Sequence, residues 1–248
     1  MISSISSVIP EFVKKPIRAV QAIPYYGTGR YCPICEQSSS RFRQVGREHR
    51  EEAQCPHCLS AERHRFSLLY LLRKTNLFDG ASKSVLHVSP ARCLEPILRD
   101  SLGDRYLTAD LFNPSAMVKM DITDIHYPNQ SFDVILCSHV LEHVDNDINA
   151  MKEFYRVLKD DGWAILLVPI TSDRTFEDPS ITDPAKRLEL FGEVDHVRRY
   201  GPDYIDRLRS VGFKVEMIEV KDLASPKEIA QMRLTPDSGE IYLCTKPE

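Results

Sequence analysis

Ser131-Phe132-Asp133-Val134-Ile135-Leu136-Cys137-Ser138-His139-Val140-Leu141-Glu142-His143-Val144 is the stretch whose pattern decides the fold. Residues 132–137 form a short, mostly apolar run of strand length and composition, and the run stops at the polar pair Ser138-His139. Residues 147–158 then follow helical spacing. Working outward, strand-like runs recur at 84–88, 105–109, 117–120, 163–168, 213–220 and 241–245, with helical patterns between several of them. Strands interleaved with helices predict an α/β fold with a mostly parallel sheet covered on both faces, because a parallel neighbour needs a crossover connection. The last run follows the turn-like Pro236-Asp237-Ser238-Gly239 and is the one expected to run antiparallel.

In such sheets ligands bind beyond the carboxyl ends of the strands, near the point where strand order reverses. Four successive ends carry suitable residues. The first is His87-Val88-Ser89-Pro90, and the second is Asp110, 21 residues after Ser89. That offset matches the roughly 20 residues at which an acid receives ribose hydroxyls in dinucleotide-type folds. The third is Asp121, placed to accept from an adenine amino group, and the fourth is Cys137-Ser138-His139. Each also has a plainer reading. Asp110 and Asp121 serve equally well as turn caps, and His139 as a strand-end residue bonded to backbone. The succession of all four favours the ligand reading.

Near the N-terminus, Cys32-Pro-Ile-Cys35 and Cys55-Pro-His-Cys58 are two C-x2-C knuckles separated by 19 residues. Each turns two thiolates onto one ion, and together they supply the tetrahedral S4 shell that zinc favours. With four sulfurs bound no open position remains, so Zn2+ there is expected to be structural. A redox role for Cys55-Pro-His-Cys58 is the competing reading, and the nearby second pair disfavours it. His49 and His57 are left as bystanders. Residues 62–76 read as a helix with Ser60 as N-cap, and a chain break at Asp79-Gly80 places the boundary near Leu77. The expected layout is an N-terminal arm over 1–30, a zinc ribbon with connecting helix over 31–76, and the large α/β domain over 77–248.

Composition narrows the class. The chain has 248 residues, 42% hydrophobic and 27% charged, with a net charge of −4 and no stretch near the roughly 20 apolar residues that cross a membrane. A soluble protein without a membrane span is expected. Residues 1–23 lack a basic start, and Glu11, Lys14, Lys15 and Arg18 interrupt any signal core, so this segment is expected to stay on the mature chain. Seven cysteines without a secretory signal predict reduced thiols and a cytoplasmic location. Between Arg30 and Arg65 seven arginines (30, 41, 43, 47, 50, 63 and 65) face five glutamates (36, 48, 51, 52 and 62), a net of +2, and only Tyr31 and Phe42 could stack on a base. A solvated, salt-bridged ribbon surface is preferred over a nucleic-acid patch.

The span from Ser131 through His143-Val144, continued by Glu153-Phe154-Tyr155-Arg156-Val157-Leu158-Lys159-Asp160-Asp161-Gly162, resembles the signature of class I methyltransferases of the type 11 group. The ribbon ending Cys58-Leu59-Ser60-Ala61-Glu62-Arg63-His64-Arg65 resembles a subgroup that joins such a module to this domain. The resemblance implies a Rossmann-like seven-stranded sheet and S-adenosylmethionine as cofactor. It places the first turn (His87, Val88, Ser89, Pro90) near methionine, Asp110 with Leu111 at ribose, Asp121 with Ile122 near adenine, and Ser138 and His139 along the cleft. One departure matters: the family's first loop is usually glycine-rich, and His87 to Arg92 contains no glycine.

Methyl transfer from a sulfonium is an in-line displacement that needs alignment, with a base only where the acceptor loses a proton. His139, His143 and His196 are the expected bases. Residues 171–199 form a polar loop in which Asp195, His196 and Arg198, with Tyr200 just beyond, are expected to meet the acceptor. A small-molecule or glycan acceptor is preferred. RNA methylation with the ribbon holding nucleic acid, and a non-catalytic zinc and nucleotide-binding module, are the alternatives.

Overall fold

In the computed structural model, which describes residues 11–46 and 49–247, the chain divides into two units. The first comprises the residues up to Thr75 together with Val220–Ser238, and the second Asn76–Glu219 together with Gly239–Glu248. The first ten residues of the expected arm, and Arg47 and Glu48 among the ribbon's charges, lie outside the described residues. No helix among the described residues is long and apolar enough to cross a membrane.

The first unit opens with helix α1 (Glu11–Ala22), followed by two antiparallel hairpins, β1 (Arg30–Cys32) with β2 (Gln37–Ser39) and β3 (Arg43–Val45) with β4 (Arg50–Gln54). Helix α2 (Glu62–Lys74) follows. Its N-cap is Ala61, whose N–H donates to His64 Nδ1 at 3.1 Å, and not the expected Ser60. Ser60 is drawn inward instead: its hydroxyl lies 3.2 Å from both Cys32 Sγ and Cys58 Sγ.

Arg65, on the inner face of α2, is fully buried. Its guanidinium donates to the carbonyls of Ala53 (3.1 Å), Ser60 (2.8 Å) and Met232 (2.7 Å) and stacks 4.6 Å from the Phe42 ring centroid. Five donors in a rigid plane suit a site where several loop carbonyls lack partners of their own. This contact draws Val220–Ser238 away from the large domain assigned to it by sequence and into the first unit. Other ribbon arginines are paired at close range: Arg30 with Glu52 at 2.6 Å and Arg50 with Glu62 at 3.4 Å.

The second unit is built on β5 (Val85–Val88), α3 (Glu95–Leu102), β6 (Tyr106–Asp110), β7 (Val118–Lys119), β8 (Phe132–Ser138), α4 (Asp147–Val157) and β9 (Leu158–Leu167). The polar loop then forms the short pair β10 (Phe176–Glu177) and β11 (Arg198–Arg199) with α5 (Pro184–Phe191) between them, and α6 (Tyr204–Ser210) leads into β12 (Lys214–Ile218). After α7 (Val220–Leu223) and α8 (Pro226–Met232), which belong to the first unit, β13 (Ile241–Thr245) returns. The sheet order is β12-β13-β9-β8-β5-β6-β7. All neighbours run parallel except β13, which is antiparallel to both β12 and β9, as its preceding turn predicts. Every expected strand is present. The strand expected over 163–168 starts earlier, at Leu158, because Lys159 to Gly162 continue extended past an irregular register between Phe132 and Val134 of β8.

Central strand β5 is buried along its whole length, His87 included. Nδ1 of His87 shares a 2.7 Å hydrogen bond with the Tyr106 hydroxyl on β6, and burial holds its pKa down at about 3. The ring therefore stays neutral in the fold, whereas an unfolded chain takes up the proton below about pH 6.5. The stability tied to the neutral ring is complete above pH ~6.5 and is lost as pH falls toward 3, at up to about 1.4 kcal/mol per pH unit. Denaturant titrations of wild type and His87→Gln across that window should differ in slope by close to one proton; equal slopes would place His87 in water. In the first unit, Arg65→Met removes the side-chain donor from the carbonyls of Ala53 and Met232, Ser60 O keeping the Cys55 N–H, and should cost on the order of 3 kcal/mol, read by chemical denaturation.

Candidate functional site

The sulfurs of Cys32, Cys35, Cys55 and Cys58 all lie within 4.8 Å of one another, with Cys32 to Cys58 at 3.6 Å and Cys35 to Cys55 at 3.7 Å. A tetrahedron of Zn–S bonds near 2.3 Å sets its sulfurs about 3.8 Å apart, so the four thiols fit that ion. The residue after each knuckle, Glu36 (φ 57°) and Leu59 (φ 62°), takes a left-handed conformation that turns the chain back on itself. Ser60, against two of the sulfurs, was not singled out as a neighbour of the site in the sequence. Its signal was proximity to Cys58.

At the carboxyl edge of the large sheet, the parallel pairing of β5 with both β6 and β8 brings their ends to one side. The turn after β5 is made by Ser89, which sits at φ 46° and donates its N–H to Ala109 O at 2.8 Å. Serine there adopts the left-handed backbone that glycine takes most readily, so the turn forms without glycine. Val88 is buried with the strand, Pro90 is half-buried, and His87 points its ring at Tyr106.

Asp110 ends β6. Its Oδ1 accepts from the backbone N–H groups of Phe112 (2.8 Å) and Asn113 (2.7 Å), while Oδ2 has no hydrogen-bond partner among the described residues. Asp121 is exposed, and its Oδ1 accepts from the N–H and hydroxyl of Thr123 at 2.8 and 2.7 Å. Both acids are therefore turn caps through one oxygen and keep the second available. Leu111 is exposed at the edge, and Ile122 is buried beside Asp121. At the end of β8, Ser138 is half-buried and His139 (φ 57°) donates its N–H to Leu167 O.

A histidine cluster follows directly. His139 Nδ1 lies 3.3 Å from Oε1 of Glu142, a side chain only 1% exposed, and the rings of His143 and His196 meet edge to face at 4.6 Å. His143 Nδ1 lies 3.3 Å from Asp195 Oδ2, and His196 Nδ1 is 3.3 Å from Phe191 O. Burial lowers the His196 pKa, with Glu142 opposing. The three expected bases thus come together around a carboxylate that the sequence reading passed over. Its only sequence signal was the spacing His139-x-x-Glu142-His143.

The remaining loop residues also hold the surrounding backbone. Arg198, expected at the acceptor, is buried and donates to the carbonyls of Leu141 (2.7 Å), Val144 (2.5 Å) and Asp145 (2.8 Å) and to Glu177 (2.8 Å). Tyr200 is equally buried, with its hydroxyl donating to Asp147 Oδ2 at 2.6 Å. Asp147 in turn takes Arg207 at 2.6 and 2.9 Å. Beside this network opens a pocket of about 540 Å³ lined by Asp145–Ile148, the 177–182 loop, Arg187, Val197, Arg207 and Arg198 itself. Removing Arg198 leaves the carbonyls of Val144 and Asp145 without a donor, whereas Leu141 O keeps the Val144 N–H and the Tyr200 hydroxyl, so Arg198→Ala should cost about 3 kcal/mol, seen as a fall in Tm of roughly 6–12 °C. A purely acceptor-binding role would leave Tm unchanged.

Residues 84–166 match the family described as a methyltransferase domain, the type 11 group. No curated protein matches the chain. Among solved structures, a complex between the Haloferax volcanii Trm112 methyltransferase activator and a methyltransferase is similar at 14% identity, covering 75% of this chain and 91% of that one with a TM-score of 0.50. An S-adenosylmethionine-dependent methyltransferase from Listeria monocytogenes is similar at 18% identity, over 75% of this chain and 97% of that one, with a TM-score of 0.46. At these identities the likeness concerns the fold alone. The domain match lies over the strand ends that carry Ser89, Asp110, Asp121 and His139, so residues 84–166 are similar to a methyltransferase domain of the type 11 group in the segment that forms those ends.

Proposed function

We propose that this protein transfers a methyl group from S-adenosylmethionine to a small-molecule or glycan acceptor, with a structural zinc ion held by Cys32, Cys35, Cys55 and Cys58. The observation that carries the acceptor reading is the pocket of about 540 Å³, within the range of small-ligand sites and lined by charged side chains together with apolar surface. The paired and buried ribbon arginines support it from the other side, since charges already neutralised within the chain offer little to a phosphate backbone.

S-adenosylmethionine, when bound, supplies a methyl group on a positively charged sulfur that needs no further activation. The chain's own part is to hold and align. The turn of Val88, Ser89 and Pro90 would hold the methionine moiety, the second oxygen of Asp110 would accept from ribose hydroxyls and that of Asp121 from the adenine amino group, with Leu111 and Ile122 beside them. Ser138 and His139 line the cleft. An acceptor that must lose a proton on methylation would pass it to an imidazole of the cluster formed by His139, His143 and His196. Asp195 flanks that cluster.

Asp110→Asn keeps the cap at Oδ1 and removes the charged acceptor. Calorimetry should find S-adenosylmethionine binding weakened about tenfold to a hundredfold, the worth of a charge-assisted hydrogen bond. With a labelled methyl donor, transfer is expected to oligosaccharide or small-molecule pools. Label entering RNA, with affinity falling steeply in salt, would replace this reading with the nucleic-acid one, and a wild type that binds no S-adenosylmethionine would overturn both.

A further inference from the structure

We propose that Glu142, His143 and His196 form a second metal site, one that binds a first-row divalent cation distinct from the cysteine-held zinc. One ligand atom from each of the three lies within 4.8 Å of the other two. Glu142 is buried, and its Oε2 accepts no hydrogen bond. A buried carboxylate oxygen left without a donor is costly, and a cation beside it removes that cost.

The histidines are set as metal ligands are. His196 Nδ1 is held by Phe191 O and His143 Nδ1 by the Asp195 carboxylate, both at 3.3 Å. An oxygen at Nδ1 keeps the proton there and leaves the Nε2 lone pair for an ion, the usual support behind a metal-bound imidazole. His139, 3.3 Å from the other oxygen of Glu142, orients the carboxylate. Two imidazoles and one carboxylate suit first-row ions such as Fe2+, Co2+ or Zn2+ better than Mg2+ or Ca2+, and three protein ligands leave positions open.

The purpose of the ion rests on the methyl-transfer reading above. An acceptor hydroxyl at an open position loses its proton more easily on the cation, as metal-bound water does. His143 and His196 then act as ligands, and His139 remains to take the proton. Binding itself is independent of that reading.

The test uses the full chain with zinc already in the cysteine site, and neither methyl donor nor acceptor. Co2+ is titrated in, followed by visible absorption and by Tm. The expected result is one equivalent bound with the weak absorption of a nitrogen and oxygen site, without the intense band of a thiolate site, and a rise in Tm as binding stabilises the fold. His196→Ala and Glu142→Gln should each weaken Co2+ at least about tenfold, since even the groups behind metal ligands are worth that much. Zinc should stay at one equivalent in both variants, which shows that they are folded around the cysteine site. No Co2+ binding by the wild type, or equal binding by all three proteins, overturns the assignment. Calorimetry with S-adenosylmethionine on the same preparations reports on the methyl-transfer reading separately, so the two can fail independently.

Discussion

The parallel pairing of β5 with β6 on one side and β8 on the other is the constraint on which the site depends. His87 lies level with Thr108 and with Leu136 in the two registers, so three strands end at one edge. Parallel strands require crossovers, and each crossover here begins at that edge, which is why the chain's irregular, polar turns collect there. A slip of one residue in either register would turn each side chain of the moved strand to the opposite face of the sheet. Complete burial of β5 makes that slip expensive.

Buried arginine fastens irregular backbone in both units. Arg65 gathers carbonyls from the ribbon and from Met232 at the end of α8, and Arg198 gathers those of Leu141 in the short helical turn and of Val144 and Asp145 between that turn and α4. Loop carbonyls have no ladder or helix to satisfy them, and a planar group with five donors serves several at once. The same use of arginine accounts for why motifs that look basic in sequence add little positive surface. Arg207 is held charged, against its partial burial, by the carboxylates of Asp147 and Glu177.

Two buried polar residues near the sheet edge contrast in what they lack. His87 is satisfied by the Tyr106 hydroxyl and is silent in water. Glu142 has one oxygen near His139 and the other facing no donor at all. The first belongs to the core in spite of its chemistry, and the second is a core position whose chemistry the packing leaves unfinished.

The periodicity of apolar runs determined the strands of the large sheet and the antiparallel course of the last one, because burial on both faces dictates composition directly. Cysteine spacing likewise determined the four-sulfur cluster, since two knuckles allow little other geometry. What tertiary structure alone decided is which way polar side chains turn. His87 and Tyr200 read as functional groups, yet packing turned them inward onto Tyr106 and Asp147, while Arg198 both lines the pocket and holds loop carbonyls. Glu142 read as one letter of a motif, yet the return of the 191–197 segment placed it among histidines. It also took the fold to bring Val220–Ser238 to the cysteine unit, through a contact between Arg65 and Met232. Sequence patterns report burial against water, which is a property of each position, whereas the partner of a polar atom is a property of two positions distant in the chain.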